Sequence, residues 1–266
     1  MKRIKTIIIA LMLAGTMVFT ACSKDTPKEE KPVEQTETKE EQKEEKKEEK
    51  KQEAKEDKKD KKEEKTEEQK KKEQEERMAA RTKYIETTKN AYSEEFTELE
   101  HADTAEMGGA PVDFTVKTID EGKEVKLDQI LASGELVQLN FFQTWCSYCL
   151  KEMPDLVELN KRDDIKVVLI DSGEKTSVVK TLIEGQQIDL PVFSDESGDV
   201  NKAYNIGSFP SNYYIKDGKI VGQLFGAWND KVLNFVADEL NAGNPMPDPD
   251  KLQEVWQQGE DEKAGK

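Results

Sequence analysis

Two stretches of this 266-residue chain, LVQLNFF (Leu136–Phe142) and IKVVLID (Ile165–Asp171), are nearly unbroken apolar runs. Runs of that length without polar alternation predict strands buried on both faces of a sheet. Between them, Leu150, Met153, Leu156, Val157 and Leu159 recur at helical spacing, predicting a helix from Cys146 to about Lys161. Upstream, DFTVKTIDEGKEVKLDQI alternates through Phe114/Val116 and Val125/Leu127, the pattern of two short strands around Glu121-Gly122. Downstream come a helix over Thr176–Glu184, an extended LPVFSD, and a short helix over Val200–Tyr204. SNYYIKDGKIVGQLFG then reads as a hairpin turning at Asp217-Gly218. A closing helix spans Asn229–Leu240, with Val232, Leu233, Val236 and Leu240 on one face. The order β-β-β-α-β-α-β-α-β-β-α predicts an α/β fold, a mixed sheet with helices on both faces. It fills one domain at about residues 108–242.

The flanks have a different texture. Ser23–Arg77 carries 19 Lys and Arg against 22 Asp and Glu and almost nothing apolar. Such a segment builds no core of its own. It is read as a spacer over residues 22–77, either disordered or a single helix supported by Lys/Glu pairs four apart. From Met78 the pattern changes: Met78, Ile85, Tyr92, Phe96 and Leu99 form a narrow apolar stripe. The stripe predicts a helix packed on the domain, or used in self-association, before Met107–Pro111 breaks it. Residues 243–266 read as a Pro-rich, then acidic tail in which only Trp256 suggests a contact.

Charge narrows the partners. From Met78 onward there are 19 Lys and Arg against 35 Asp and Glu, about −16. An acidic folded part argues against nucleic acid and against a broad grip on anionic lipid. The N-terminus suggests the compartment: Lys2, Arg3 and Lys5 precede an apolar run, Thr6–Phe19, too short for a comfortable membrane span. Thr20 and Ala21 lead into Cys22, and a run ending in this way resembles the lipobox of bacterial lipoproteins, though Phe19 stands where leucine is usual. That resemblance implies a signal peptide over residues 1–21, cleavage before Cys22, and lipidation of its thiol. An ordinary secretory peptide is the alternative. Either places the mature chain where thiols can be oxidised.

The chemistry concentrates in FFQTWCSYCLKEMP (Phe141–Pro154). A zinc site needs four ligands, and Cys22 and the single histidine, His101, are poor company for Cys146 and Cys149; no metal or other cofactor is expected. A redox pair fits better. It follows a buried strand and opens a helix, where free N–H groups and the helix dipole stabilise a thiolate. Cys146 would then attack a partner disulfide and Cys149 would resolve the mixed disulfide.

FFQTWCSYC followed by KEMP resembles the thioredoxin superfamily, and more narrowly the TlpA/ResA-like thiol–disulfide oxidoreductases of the bacterial cell envelope. The likeness runs from about Ala110 to Leu240 and includes the opening APVDF. It implies a thioredoxin-like mixed sheet and a Trp145-Cys-x-x-Cys active site. It also implies a cis-proline at Pro210 in GSFPSNYYI, with Phe209 and Trp145 against the bound client. Cytoplasmic thioredoxins carry a buried Asp six residues before the first Cys, where this chain has Asn140, which cannot titrate. Glu152, three residues after Cys149, matches instead the acidic residue of the TlpA/ResA-like group; shielded from water, it would exchange protons with the second thiol. A solvated helix Glu is the bland alternative. The Ser147-Tyr148 dipeptide matches none of the common tuning pairs, and the absence of histidine between the cysteines leans toward a reductant. Peroxiredoxins share the fold, but their motif would need Pro and Thr at Leu139 and Gln143.

The expected protein is therefore a lipid-anchored extracytoplasmic thiol–disulfide oxidoreductase. Its partners would be protein disulfides or dithiols and, by the resemblance, a membrane electron donor of the CcdA/DsbD type. The clients would be apocytochrome c, an envelope methionine sulfoxide reductase or misoxidised secreted proteins. A disulfide-forming oxidase and a non-catalytic binding lipoprotein remain the alternatives.

Overall fold

The computed structural model describes residues 67–265; Cys22, the apolar N-terminal run and most of the Lys/Glu spacer lie outside the described residues. In chain order the elements are α1 (Glu67–Asn90), β1 (Thr115–Thr118), β2 (Glu124–Lys126), α2 (Leu127–Leu131), β3 (Leu136–Phe142), α3 (Ser147–Leu159) and β4 (Ile165–Ser172). There follow α4 (Thr176–Gln186), β5 (Val192–Asp195), α5 (Asp199–Ala203), β6 (Ser211–Lys216), β7 (Lys219–Phe225), α6 (Asp230–Asn241) and α7 (Pro249–Lys263).

The strands form one sheet in the order β2-β1-β5-β4-β3-β6-β7. β3 is buried at every position, as its continuous apolar run requires. It pairs in parallel with β4 and antiparallel with β6. Alternate β3 side chains enter two separate apolar layers. Leu136 and Phe142 join the layer built with α3, α4, α6 and α7, and Val137, Leu139 and Phe141 join the one under α2 and Tyr204. The hairpin turns at Asp217-Gly218, both at positive φ, the geometry that makes Asp-Gly a hairpin signal.

Three expectations are corrected. The helix expected over Met78–Leu99 begins by Glu67 and stops at Asn90, so residues 67–77 of the expected spacer belong to it. Its inward face is Tyr84 and Thr88, with Ile85 half-buried beside them, while Met78 is exposed. The buried Tyr84 ring sets the helix's rotation, and ion pairs support it: Arg81 lies 2.7 Å from Asp120 and 3.6 Å from Glu184. Residues 91–110 form no helix or strand; they are stitched to α2 through Ser93 N–H to the Gln129 carbonyl, Leu99 N–H to Asp128, and His101 at 2.9 Å from the Asp128 carboxylate. Leu127 starts a helical turn instead of continuing a strand. Finally, the acidic tail is a helix, α7, capped by the Asp248 side chain on Lys251 N–H and burying Leu252 and Val255 in the α3/α6 layer.

α1 docks chiefly through Tyr84, 1% exposed in a layer that also contains Val179 and Ile183. Replacing that ring leaves a cavity under a surface helix. Tyr84→Ala is expected to lower the unfolding free energy by about 3 kcal/mol in urea denaturation; a loss below about 1 kcal/mol would mean that α1 is not part of the cooperative unit.

Candidate active site

β3 ends at Phe142, and its chain turns directly into α3. Cys146 is the N-cap of α3; its Sγ accepts a hydrogen bond from Cys149 N–H at 3.1 Å. The sulfur thus stands among the unpaired N–H groups of a helix start, the place where negative charge is favoured. Cys146 and Cys149 are joined in a disulfide with Cα atoms 5.3 Å apart. Both sulfur-bearing residues are largely buried, Cys149 more deeply than Cys146.

Around the disulfide the surface is aromatic. Trp145 is 71% exposed, Tyr148 62% and Phe225 54%, unusual values for side chains of this size. The Phe209–Pro210 peptide is cis. Register brings that loop to the end of β3, because Phe141 faces Ser211, the residue after Pro210, which in turn faces Phe225. The Trp145 and Phe209 rings meet edge to face at 6.5 Å. Gly226 N–H then donates to the Pro210 carbonyl at 2.9 Å, closing the turn after β7 onto the same loop.

Beneath the disulfide lies a polar island inside an apolar layer. Glu152, one turn beyond Cys149 on α3, is 1% exposed. Its Oε2 accepts from Asn140 Nδ2 at 3.0 Å and its Oε1 from Trp228 N–H at 3.0 Å. The opposite face of the island is built by cross-strand pairs of β3 and β6: Asn140 faces Asn212 and Gln138 faces Tyr214. Asn212 Oδ1 accepts from both Asn140 Nδ2 at 2.7 Å and Gln138 Nε2 at 2.8 Å. Burial pushes the Glu152 carboxyl up to about 8; the Trp228 and Asn140 hydrogen bonds only partly offset it. Complete burial, and after it the same carboxyl, drive the Tyr214 phenol well above its ordinary value.

A second acidic group braces the approach to the cysteines from the other side. The Glu174 carboxylate takes both Thr144 N–H and Thr144 Oγ1, each at 2.6 Å, just before Trp145. Gln143 Nε2 donates to the Ser172 carbonyl at 2.8 Å. Asp171, buried at the end of β4, is raised to about 7 by burial and then by the charge of Glu174.

Of the residues singled out from sequence, Trp145, Cys146, Cys149, Glu152, Phe209 and Pro210 gather at one end of the central strands; Cys22 lies outside the described residues. Sequence reasoning missed Glu174, Asp171, Asn212, Tyr214 and Trp228. Only Asp171 left a trace, as a carboxylate closing an apolar run.

The chain is similar in sequence to known proteins. The AhpC/TSA family profile matches residues 107–223. A protein named thiol-disulfide oxidoreductase ResA, from Bacillus thuringiensis subsp. konkukian, is 33% identical over 125 residues, 46% of this chain and 70% of that protein. Another of that name, from Oceanobacillus iheyensis, is 33% identical over 144 residues, 51% of this chain and 75% of its own. Among solved structures, the exposed lipoprotein thioredoxin of Streptococcus pneumoniae, 31% identical, covers 48% of this chain and 99% of its own, with a TM-score of 0.43.

Glu152 also ties stability to pH. The unfolded chain releases its proton near 4.5, whereas the folded protein holds it to about 8. Unfolding therefore releases a proton in that window, and stability falls as pH rises through it. Glu152→Gln removes the titration. In the oxidised protein its unfolding free energy should gain on wild type by up to about 4 kcal/mol between pH 5 and 8. A pH-independent difference would mean that Glu152 ionises in the ordinary range.

Proposed function

The chain belongs to the ResA-like thiol–disulfide oxidoreductases of the thioredoxin superfamily, and from that premise we propose that it reduces protein disulfides outside the cytoplasm while anchored by lipid at Cys22. The observation that carries this reading is the Cys146–Cys149 pair at the start of α3 with a carboxyl that titrates near neutrality buried one turn further on. A structural disulfide has no use for such a neighbour, since burying a carboxyl costs stability even where donors partly offset it.

In the reductive direction the Cys146 thiolate attacks one sulfur of a client disulfide. A mixed disulfide forms and the first client sulfur leaves as a thiolate. The Cys149 thiol gives its proton to Glu152, and the resulting thiolate attacks Cys146 Sγ. The internal disulfide forms and the second client sulfur departs, so two electrons have passed to the client. A carboxyl near pKa 8 is well placed for this exchange, because a proton carrier works best when its pKa lies near the working pH. Trp145, Tyr148, Phe209 and Phe225 offer apolar area on which an extended client segment lies, and the Phe209–Pro210 backbone offers it an edge.

A membrane donor of the CcdA/DsbD type would return the electrons. Apocytochrome c, an envelope methionine sulfoxide reductase and misoxidised secreted proteins are clients of suitable chemistry. The direction rests on Ser147-Tyr148, which sets no histidine or other cation between the cysteines to favour the thiolate strongly. The sole histidine is committed beside Asp128.

The first test is the Cys146–Cys149 reduction potential, obtained by equilibration in dithiol buffers and thiol trapping. A value at or below about −250 mV is expected. One between about −120 and −180 mV would make the protein an oxidant or isomerase. Cys149→Ser should accumulate a mixed disulfide through Cys146; a pair that never exchanges would leave a binding lipoprotein.

A further inference from the structure

α7 lies beyond the segment that the family profile matches, and its packing is oddly specific for a terminal helix. Gly259 sits in its third turn, where glycine costs about 1 kcal/mol relative to alanine. A Cβ there would stand 2.6 Å from Asn229 Nδ2 and 3.0 Å from Lys231 Cγ. The glycine is therefore the condition for α7 to come this close to the start of α6.

What it approaches is Asn229, 5% exposed. Asn229 Oδ1 accepts from Val232 N–H at 3.2 Å and so caps α6. Serine or aspartate would cap as well. The amide adds Nδ2, which donates to the Trp256 carbonyl at 2.9 Å and to Glu260 Oε1 at 3.2 Å, both on α7. Lys231 and Lys263 add ion pairs to Glu262 at 2.9 Å and to Asp230 at 3.2 Å.

Asn229 immediately follows Trp228, whose N–H donates to Glu152. The turn is held at its other end by Trp228 Nε1 on the Phe225 carbonyl and Gly226 N–H on Pro210. We infer that α7 is a positioning element of the redox site: by gripping Asn229 it fixes the turn that aims Trp228 N–H at the Glu152 carboxylate. The inference rests on the proposed role of Glu152 as proton carrier. Glu152 meets neutral partners from β3 (Asn140) and β6 (Asn212), the Tyr214 phenol from β6, and Asp155 of its own helix, which lies 3.6 Å from Lys263 of α7. The Trp228 hydrogen bond favours the ionised carboxylate, so loosening the turn raises the pH at which Glu152 gives up its proton.

The test uses the full reduced chain and the pH dependence of thiol–disulfide exchange. Asn229→Ser keeps the cap of α6 and removes the amide, and Gly259→Ala pushes α7 off Asn229; neither introduces a charge. Each should move the Glu152-dependent limb upward by about one pH unit, the equivalent of one hydrogen bond to a charged acceptor. In a Glu152→Gln background the same substitutions should leave the profile where Glu152→Gln puts it. An unchanged profile in the folded single variants, checked by near-ultraviolet circular dichroism, overturns the inference. So does an equal shift in the Glu152→Gln background, which would mark general loosening. If Glu152→Gln alone shows the wild-type profile, the proton-carrier reading fails first and takes the inference with it. Should Gly259→Ala not fold, Asn229→Ser decides alone.

Discussion

A carboxyl group cannot enter an apolar layer without partners, and much of this site follows from placing Glu152 in one. Transfer of an unpaired ionised group to a low-dielectric interior costs far more than a fold can spare, so the group either neutralises or recruits donors. Glu152 does both. Its proton is held to about pH 8, and Asn140 and Trp228 N–H stand ready for the charged form. The recruitment explains why β3, otherwise apolar, carries Gln138 and Asn140, and why β6 carries Asn212 beside them. It also explains why the turn after β7 must be held still.

The cysteines and the acid then divide one environment between them. At the helix start, N–H groups favour charge on Cys146, while six residues further along burial disfavours it on Glu152. The gradient runs along a single helix over nearly two turns. The aromatic rim is the outward counterpart: Trp145, Tyr148 and Phe225 leave area open that a monomeric surface normally hides. The rim must also keep its shape. Glu174 fixes Thr144 through two short hydrogen bonds, so the β3–α3 connection just before Trp145 is anchored to the β4–α4 loop.

What was legible in the sequence was what short-range pattern encodes. LVQLNFF and IKVVLID declared buried strands, Asp217-Gly218 declared the hairpin, and the cysteine spacing at a strand–helix junction declared the redox pair. Glu152 was legible as a candidate by its place after Cys149, but not its burial, because Asn212 and Trp228 reach it from far along the chain. α1 was legible only in part: Ile85 packs on the core as the stripe requires, but Met78 is exposed and the deeply buried residue is Tyr84, a choice made by the surface beneath. α7 was hidden for a similar reason. Its buried residues are few, its composition is acidic, and the meaning of Gly259 exists only once Asn229 is opposite it.

Two carboxyls near the site are raised toward neutrality, and their surroundings assign them different work. Asp171 faces Glu174 and Asp195, so like charges reinforce burial in holding its proton, and its Oδ1 has no hydrogen-bond partner to welcome a negative charge. Around Glu152, neutral donors favour the ionised form while burial favours the protonated one, and the like charge that bears on it, Asp155, is itself paired with Lys263. A group that cycles must be tolerable both protonated and ionised; a group that only braces needs one state. By that criterion Glu152 suits the proposed proton-carrier role better than Asp171, whose Oδ1 has no partner and whose neighbours are acidic, while Glu174 holds Thr144 in place.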